Sequence, residues 1–152
     1  MNGEDKKYCY LAGIIDGEGT IGVYLGSIKR KDACYRNYTV QLSIANTNYL
    51  LMEFLKSNFG GHIMFRSATK DNGKVVYMWR ARLDEIRFIL PRVIPFLILK
   101  KEQAKIVVEF LDILKKVKEL KKRKNSPELD SFNKRRREIC SITKVLNKKG
   151  VI

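Results

Sequence analysis

Residues 11–19 read LAGIIDGEG, an apolar stretch that ends in two carboxylates set among glycines. If the stretch is helical, Asp16 and Glu18 fall at its C-terminal end. Unpaired carbonyls already make that end partly negative, so an acid there is unfavourable by about 0.3–1 kcal/mol. Two readings remain: a solvated accident, or oxygen ligands placed for a cation. Other chemistry has little to work with. His62 is the only histidine, so a Ser-His-Asp arrangement would have to use it. No Gly-rich phosphate loop of the Walker type is present. Cys9, Cys34 and Cys140 are odd in number and far apart. They suit neither a disulfide framework nor a zinc site and read as reduced thiols.

The element that carries the acids is expected to be a buried helix over Tyr8–Asp16, with Leu11, Ile14 and Ile15 at three- and four-residue spacings. Gly13 and Gly17 stand one turn apart, so one face is nearly bare backbone. Such a face admits a second helix at close range, or packs tightly on the chain's own sheet. Thr20–Leu25 alternates as a strand, and GSIKRKDACYR reads as a polar, basic hairpin loop. NYTVQLSI is the cleanest alternation: Asn37, Thr39, Gln41 and Ser43 oppose Tyr38, Val40, Leu42 and Ile44. Period two with one apolar face predicts a half-buried antiparallel strand. Its acid-free polar face is either ordinary solvated surface or a reader of base edges.

NTNYLLMEFLKSNF is an amphipathic helix, with Asn46 or Thr47 as the expected N-cap and Gly60-Gly61 as the stop. HIMFRSATK and VVYMWRARL form a hairpin around Asn72-Gly73. A helix interrupted by Pro91 and Pro95 follows, then a long helix from about Lys100. A final helical segment begins near Ser126-Pro127. The order α-β-β-α-β-β-α-α predicts an α+β fold with helices on one face of a four-stranded antiparallel sheet. The other face is left free, polar and basic.

Composition fits that face. The chain has 152 residues and a formal net charge of +15, from 31 Lys and Arg against 16 Asp and Glu. A small domain needs only about 2 to 8 net charges for solubility, so the excess points to a polyanion, above all nucleic acid. Basic runs at Lys115–Lys124 and Lys134–Arg137 are solvated helix faces or phosphate contacts. No apolar run approaches the roughly 20 residues that span a bilayer, and the start MNGEDKKYCY lacks a signal-peptide pattern. The expected setting is intracellular: an archaeal or bacterial cytoplasm, or an organelle.

LAGIIDGEG closely resembles the signature of the LAGLIDADG homing endonucleases, and PFLILKKEQA resembles that family's lysine-bearing segment. The resemblance covers about residues 8–115 of a single domain, with a basic helical extension over about 116–152. It implies that the signature helix is the interface between two copies of the fold. One signature and no internal repeat then imply a homodimer, with Leu11, Ala12, Gly13, Asp16 and Gly17 at the contact. It also implies a saddle of two sheets over a near-palindromic DNA site, with no membrane or small-molecule substrate. By position, Glu18 is the catalytic metal ligand, with the Gly17 carbonyl beside it, for Mg²⁺ or another divalent cation such as Mn²⁺. Glu here replaces the commoner Asp.

Asp16 reads as local structure at the helix end. Lys100 aligns with the family's active-site lysine, with Lys101 as the competing choice. Asn46 falls where the family has a polar residue that positions water. For base readout the resemblance and the alternation together suggest Tyr24, Asn37, Thr39, Gln41, Ser43, His62, Arg66, Lys70, Arg80 and Arg82, with Lys29 and Arg30 extending the footprint. Arg80 and Arg82 are assigned to one face of the fourth strand. The resemblance also admits a relative that binds without cutting, such as an intron RNA-splicing maturase or a DNA-binding regulator. Glu18 and Lys100 together favour the nuclease.

Overall fold

In a computed structural model the chain is described at residues 3–30, 33–66, 75–120 and 128–148, with backbone only at 27–30, 33–36 and 66. The elements run α1 (Gly3–Glu18), β1 (Gly19–Arg30), β2 (Ala33–Asn46), α2 (Tyr49–Phe59), β3 (His62–Arg66), β4 (Val76–Arg80) and α3 (Leu83–Val93). A 3-10 turn at Ile94–Phe96 leads to α4 (Lys101–Leu120) and α5 (Glu128–Leu146). The four strands form one sheet in the order β1-β2-β4-β3. β4 pairs antiparallel with β2 (Ile44 opposite Trp79) and with β3 (Ile63 opposite Trp79).

Two compact units partition the chain. The first comprises Met1–Thr20 and Gln41–Lys101. In it Leu11, Ala12 and Ile15 are fully buried, as are Met52 and Leu55 of α2, Trp79, and Ile86 and Leu90 of α3. Burying a side chain such as Leu11 or Ile15 contributes about 1.5–3 kcal/mol. Gly60 and Gly61, at φ +76° and +80°, make the turn between α2 and β3, a backbone region that side chains rarely adopt. The Glu85 carboxylate ties that turn to α3, accepting from the Gly61 N–H at 2.8 Å and the Arg82 N–H at 2.6 Å. The second unit comprises Ile21–Val40 and Glu102–Ile152. Its core is Ile21, Val23, Val107, Phe110 and Ile139, with the Tyr38 ring 5.5 Å from that of Phe110.

Several boundaries differ from the sequence reading. α1 begins at Gly3 rather than Tyr8. β1 continues through Arg30 and β2 starts at Ala33, so the basic hairpin stretch is largely strand: backbone pairing overrides its polar composition. The N-cap of α2 is neither Asn46 nor Thr47 but Asn48, whose side chain accepts from the Leu50 N–H. α3 runs through Pro91. That proline sits in the last turn, where the lost N–H removes one hydrogen bond without ending the helix.

Candidate active site and nucleic-acid interface

The end of α1 is built by long-range hydrogen bonds within the first unit. Asp16 turns back onto the segment after the 3-10 turn. Its Oδ2 accepts from the Ile98 N–H at 2.7 Å and its Oδ1 from the Lys100 N–H at 2.9 Å. Lys100 returns the contact: its Nζ donates to the Ile15 carbonyl at 2.7 Å and the Asp16 carbonyl at 2.9 Å. The ammonium therefore occupies the helix C-terminus, donating to two carbonyls of its last turn and matching the dipole. Burial lowers the pKa of Lys100 below the ordinary 10.5, and the Asp16 charge opposes that shift. An ammonium has three N–H donors; among the described residues, two are engaged.

Glu18 follows one turn-end later and is exposed. Asn46, at the end of β2, donates from Nδ2 to Glu18 Oε2 at 2.5 Å, while its Oδ1 accepts from the Asn48 N–H at 2.8 Å. Asn46 is thus not a helix cap but a brace between the acid and the start of α2. Gly19 completes the corner. A Cβ there would lie 2.7 Å from the Ile15 Cα and 2.8 Å from its carbonyl oxygen, so only glycine lets the strand leave the helix this tightly. The last glycine of LAGIIDGEG has this steric role, which spacing alone does not reveal.

The outward side of α1 is open. Gly13 and Gly17 are exposed, and a Cβ at either would meet nothing within 4 Å. They line a shallow groove with Tyr10, Ile14, Leu51 and Glu18. Tyr10 and Leu51, absent from the sequence reading, follow once the face is known, because Tyr10 lies one turn before Gly13 and Ile14. Leu11 and Ala12 do not belong to this face. Both are fully buried in their own unit, and Asp16 is turned onto its own chain. Of the expected contact residues only Gly13 and Gly17 lie on the outward face, since residues i and i+4 share a side of a helix and i+1 does not.

The proposed base readers divide as follows. On β2, Asn37 and Thr39 are exposed, and Gln41 is half-buried. Ser43 is 3% exposed and accepts from the Gln41 amide at 2.8 Å, so it supports its neighbour rather than presenting its own hydroxyl. Ser43, Arg80 and His62 lie in one row across β2, β4 and β3, with Arg80 and His62 half-buried. Arg82 is not on a strand face. β4 ends at Arg80 and Arg82 is the N-cap of α3. Tyr24 is half-buried on β1. Lys29 and Arg30 are in β1 and Arg66 in β3, but their side chains, like all of Lys70, lie outside the described residues.

The oxygen donors suit a hard cation. Among the described residues no three His, Cys, Asp or Glu side chains cluster, which rules against an all-protein cage there. Mg²⁺ keeps several waters and is commonly held by one or two carboxylates together with phosphate oxygens. An exposed Glu18 beside exposed backbone at Gly17 offers one such carboxylate per chain.

Solved structures share this fold. The chain is similar to the homing endonuclease I-CvuI in complex with its target, with 21% identity and a TM-score of 0.67, covering 99% of this chain and 90% of the other. It is also similar to the archaeal intron-encoded homing endonuclease I-Vdi141I complexed with DNA, at 22% identity and a TM-score of 0.68, covering 97% and 87%. I-SmaMI bound to cleaved DNA matches at 18% identity and a TM-score of 0.64, with 95% of this chain but 45% of that one covered. No curated protein sequence matches. Among the described residues no helix is long and apolar enough to cross a membrane. The family model for LAGLIDADG endonucleases matches residues 11–98, from Leu11 in the middle of α1 to Ile98, whose N–H Asp16 holds, and the chain belongs to that family.

Proposed function

We propose that this protein is a site-specific double-stranded DNA endonuclease that acts as a homodimer and hydrolyses phosphodiesters with Mg²⁺ or a similar divalent cation. The observation that carries this reading is the exposed Glu18 at the end of a helix whose outward face is bare at Gly13 and Gly17. Two such helices can approach closely about a two-fold axis, which brings two Glu18 carboxylates to one locus. A bound divalent cation would relieve their repulsion, polarise the scissile phosphate and acidify a water.

The chain's own residues supply the rest. Asn46 holds one oxygen of Glu18 and fixes the carboxylate's direction. Lys100, anchored by two of its donors, has a third to offer a phosphate oxygen whose charge grows during the reaction. Asn37, Thr39, Gln41, His62 and Arg80 carry the donor and acceptor types that distinguish base pairs in the major groove, Arg for guanine and Asn or Gln for adenine. A non-cleaving maturase or regulator on the same fold would have no need of Glu18 and Lys100 together, and their retention supports the nuclease.

Cleavage of a randomised duplex library in Mg²⁺ tests the proposal. The expected result is one enriched, near-palindromic site, with cutting abolished by chelation. Enrichment of a bound site without any cut product would favour the non-cleaving reading.

A further inference from the structure

β1 is an edge strand of the sheet, so one side of its backbone needs partners from elsewhere. Thr143 of α5 and Asn147, the residue just after that helix, take that place. Thr143 Oγ1 accepts from the Val23 N–H at 3.3 Å. Its hydroxyl proton is shared between the Val23 carbonyl at 3.1 Å and the Cys140 carbonyl at 3.2 Å. Asn147 Nδ2 donates to the Ile21 carbonyl at 2.8 Å. Residues two apart on a strand direct their N–H and C=O to the same edge, so these bonds reproduce a piece of strand ladder.

The surroundings are built for the contact. Thr143 is buried at 1% exposure, and Ile21 and Val23 are buried beside it. A Cβ on Gly22 would lie 2.9 Å from Asn147 Nδ2 and 3.2 Å from the Tyr24 ring, so glycine at that position gives the asparagine its approach. The last turn of α5 is itself held, since Gln103 Nε2 donates to the Leu146 carbonyl at 3.0 Å. Side chains alternate along a strand; Ile21 and Val23 face the core, and Tyr24 shares the opposite face with Gly22.

We propose that Thr143 and Asn147 are positioning residues that determine specificity. They act as a surrogate strand along the edge of β1 and set the height at which β1 presents Tyr24 to DNA. The inference rests on the nuclease reading for its consequence but not for its geometry. Loosening this edge leaves the DNA-contacting side chains in place and blurs where they point, so discrimination falls while phosphate-driven affinity persists.

Two measurements test it, on the full chain. Amide hydrogen exchange at Val23 should be at least about tenfold faster in Thr143→Val, a near-isosteric loss of the hydroxyl, and restored in Thr143→Ser. In selection from a randomised duplex library, Thr143→Val and Asn147→Ala should relax base preference at one symmetric pair of positions, leaving the rest of the profile and the salt dependence unchanged, with Thr143→Ser again restoring the parent profile. Should Thr143→Val fail to fold, Asn147→Ala carries the same comparison. Unchanged Val23 exchange, or a uniform loss of affinity with the profile intact, would overturn the proposal. A parent that enriches no sequence would instead sink the DNA-binding reading, while the exchange data would still decide whether α5 pins β1.

Discussion

The two acids of the signature do different work, and the difference is electrostatic as much as geometric. Asp16 spends both oxygens on backbone N–H groups of Ile98 and Lys100; Glu18 spends one on Asn46 and stays exposed. Hydrogen bonds to a charged group contribute about 1.5–3 kcal/mol each, so Asp16→Ala should destabilise the fold by about 2 kcal/mol or more in urea unfolding and release the segment that carries Lys100. An unchanged midpoint would mean that these bonds contribute little. Lys100 has a lowered pKa because burial disfavours its charge. The folded state therefore gives up this proton more readily than the unfolded chain. In the window between the lowered value and 10.5 the unfolded state binds more protons, and the stability contribution of this group rises with pH. Cleavage should fall over the same window as the ammonium is lost. Lys100→Met should cut poorly and lack that alkaline limb, which a pH–rate profile on a preselected target would record. The resemblance to the signature and to the lysine-bearing segment singled out an acid and a lysine, but not which acid the lysine's own backbone would bind, because that contact joins residues 84 positions apart.

At the scale of elements, periodicity was readable where one face alone meets the core. β2 shows this: Leu42 and Ile44 are buried as the alternation predicts, and Asn37 and Thr39 are exposed. It failed where an element is covered from both sides or ends early. Ser43 is buried on the nominally polar face, and Arg82 belongs to a helix start because β4 stops at Arg80. Charge misled at the β1–β2 hairpin, where the backbone is strand through Arg30 and again from Ala33. α1 yields the sharpest prediction, with two effects of opposite sign. Nothing stands within 4 Å of a Cβ at Gly13, and glycine costs a helix interior about 1 kcal/mol against a good helix former. Gly13→Leu should therefore raise the stability of the isolated protomer by about 0.5–1 kcal/mol while dissociating the dimer in sedimentation at micromolar protein. A dimer of undiminished affinity would show that the glycine face is not the interface.

For the whole molecule, the net charge of +15 sets the character of binding and the sites set its outcome. Neutralising phosphates releases counterions, so affinity for the selected duplex should drop about 10³-fold or more between roughly 50 and 200 mM salt if six or more phosphates are contacted. A flat response by fluorescence anisotropy would contradict the basic footprint. The sequence carried the family's signature and the element order, whereas the pinning of β1 by α5 came only from the fold: Thr143 and Val23 are 120 positions apart. The central claim is that Glu18 serves hydrolysis rather than folding or binding. It is tested most directly by incubating the parent and Glu18→Gln with the library-selected duplex in Mg²⁺, measuring strand cleavage and equilibrium binding side by side. The account predicts that the variant binds within a few-fold of the parent and cuts at least about 100-fold more slowly, beyond the roughly 10–100-fold typical of losing only a partner of a metal ligand. Equal cutting by the two proteins would contradict it.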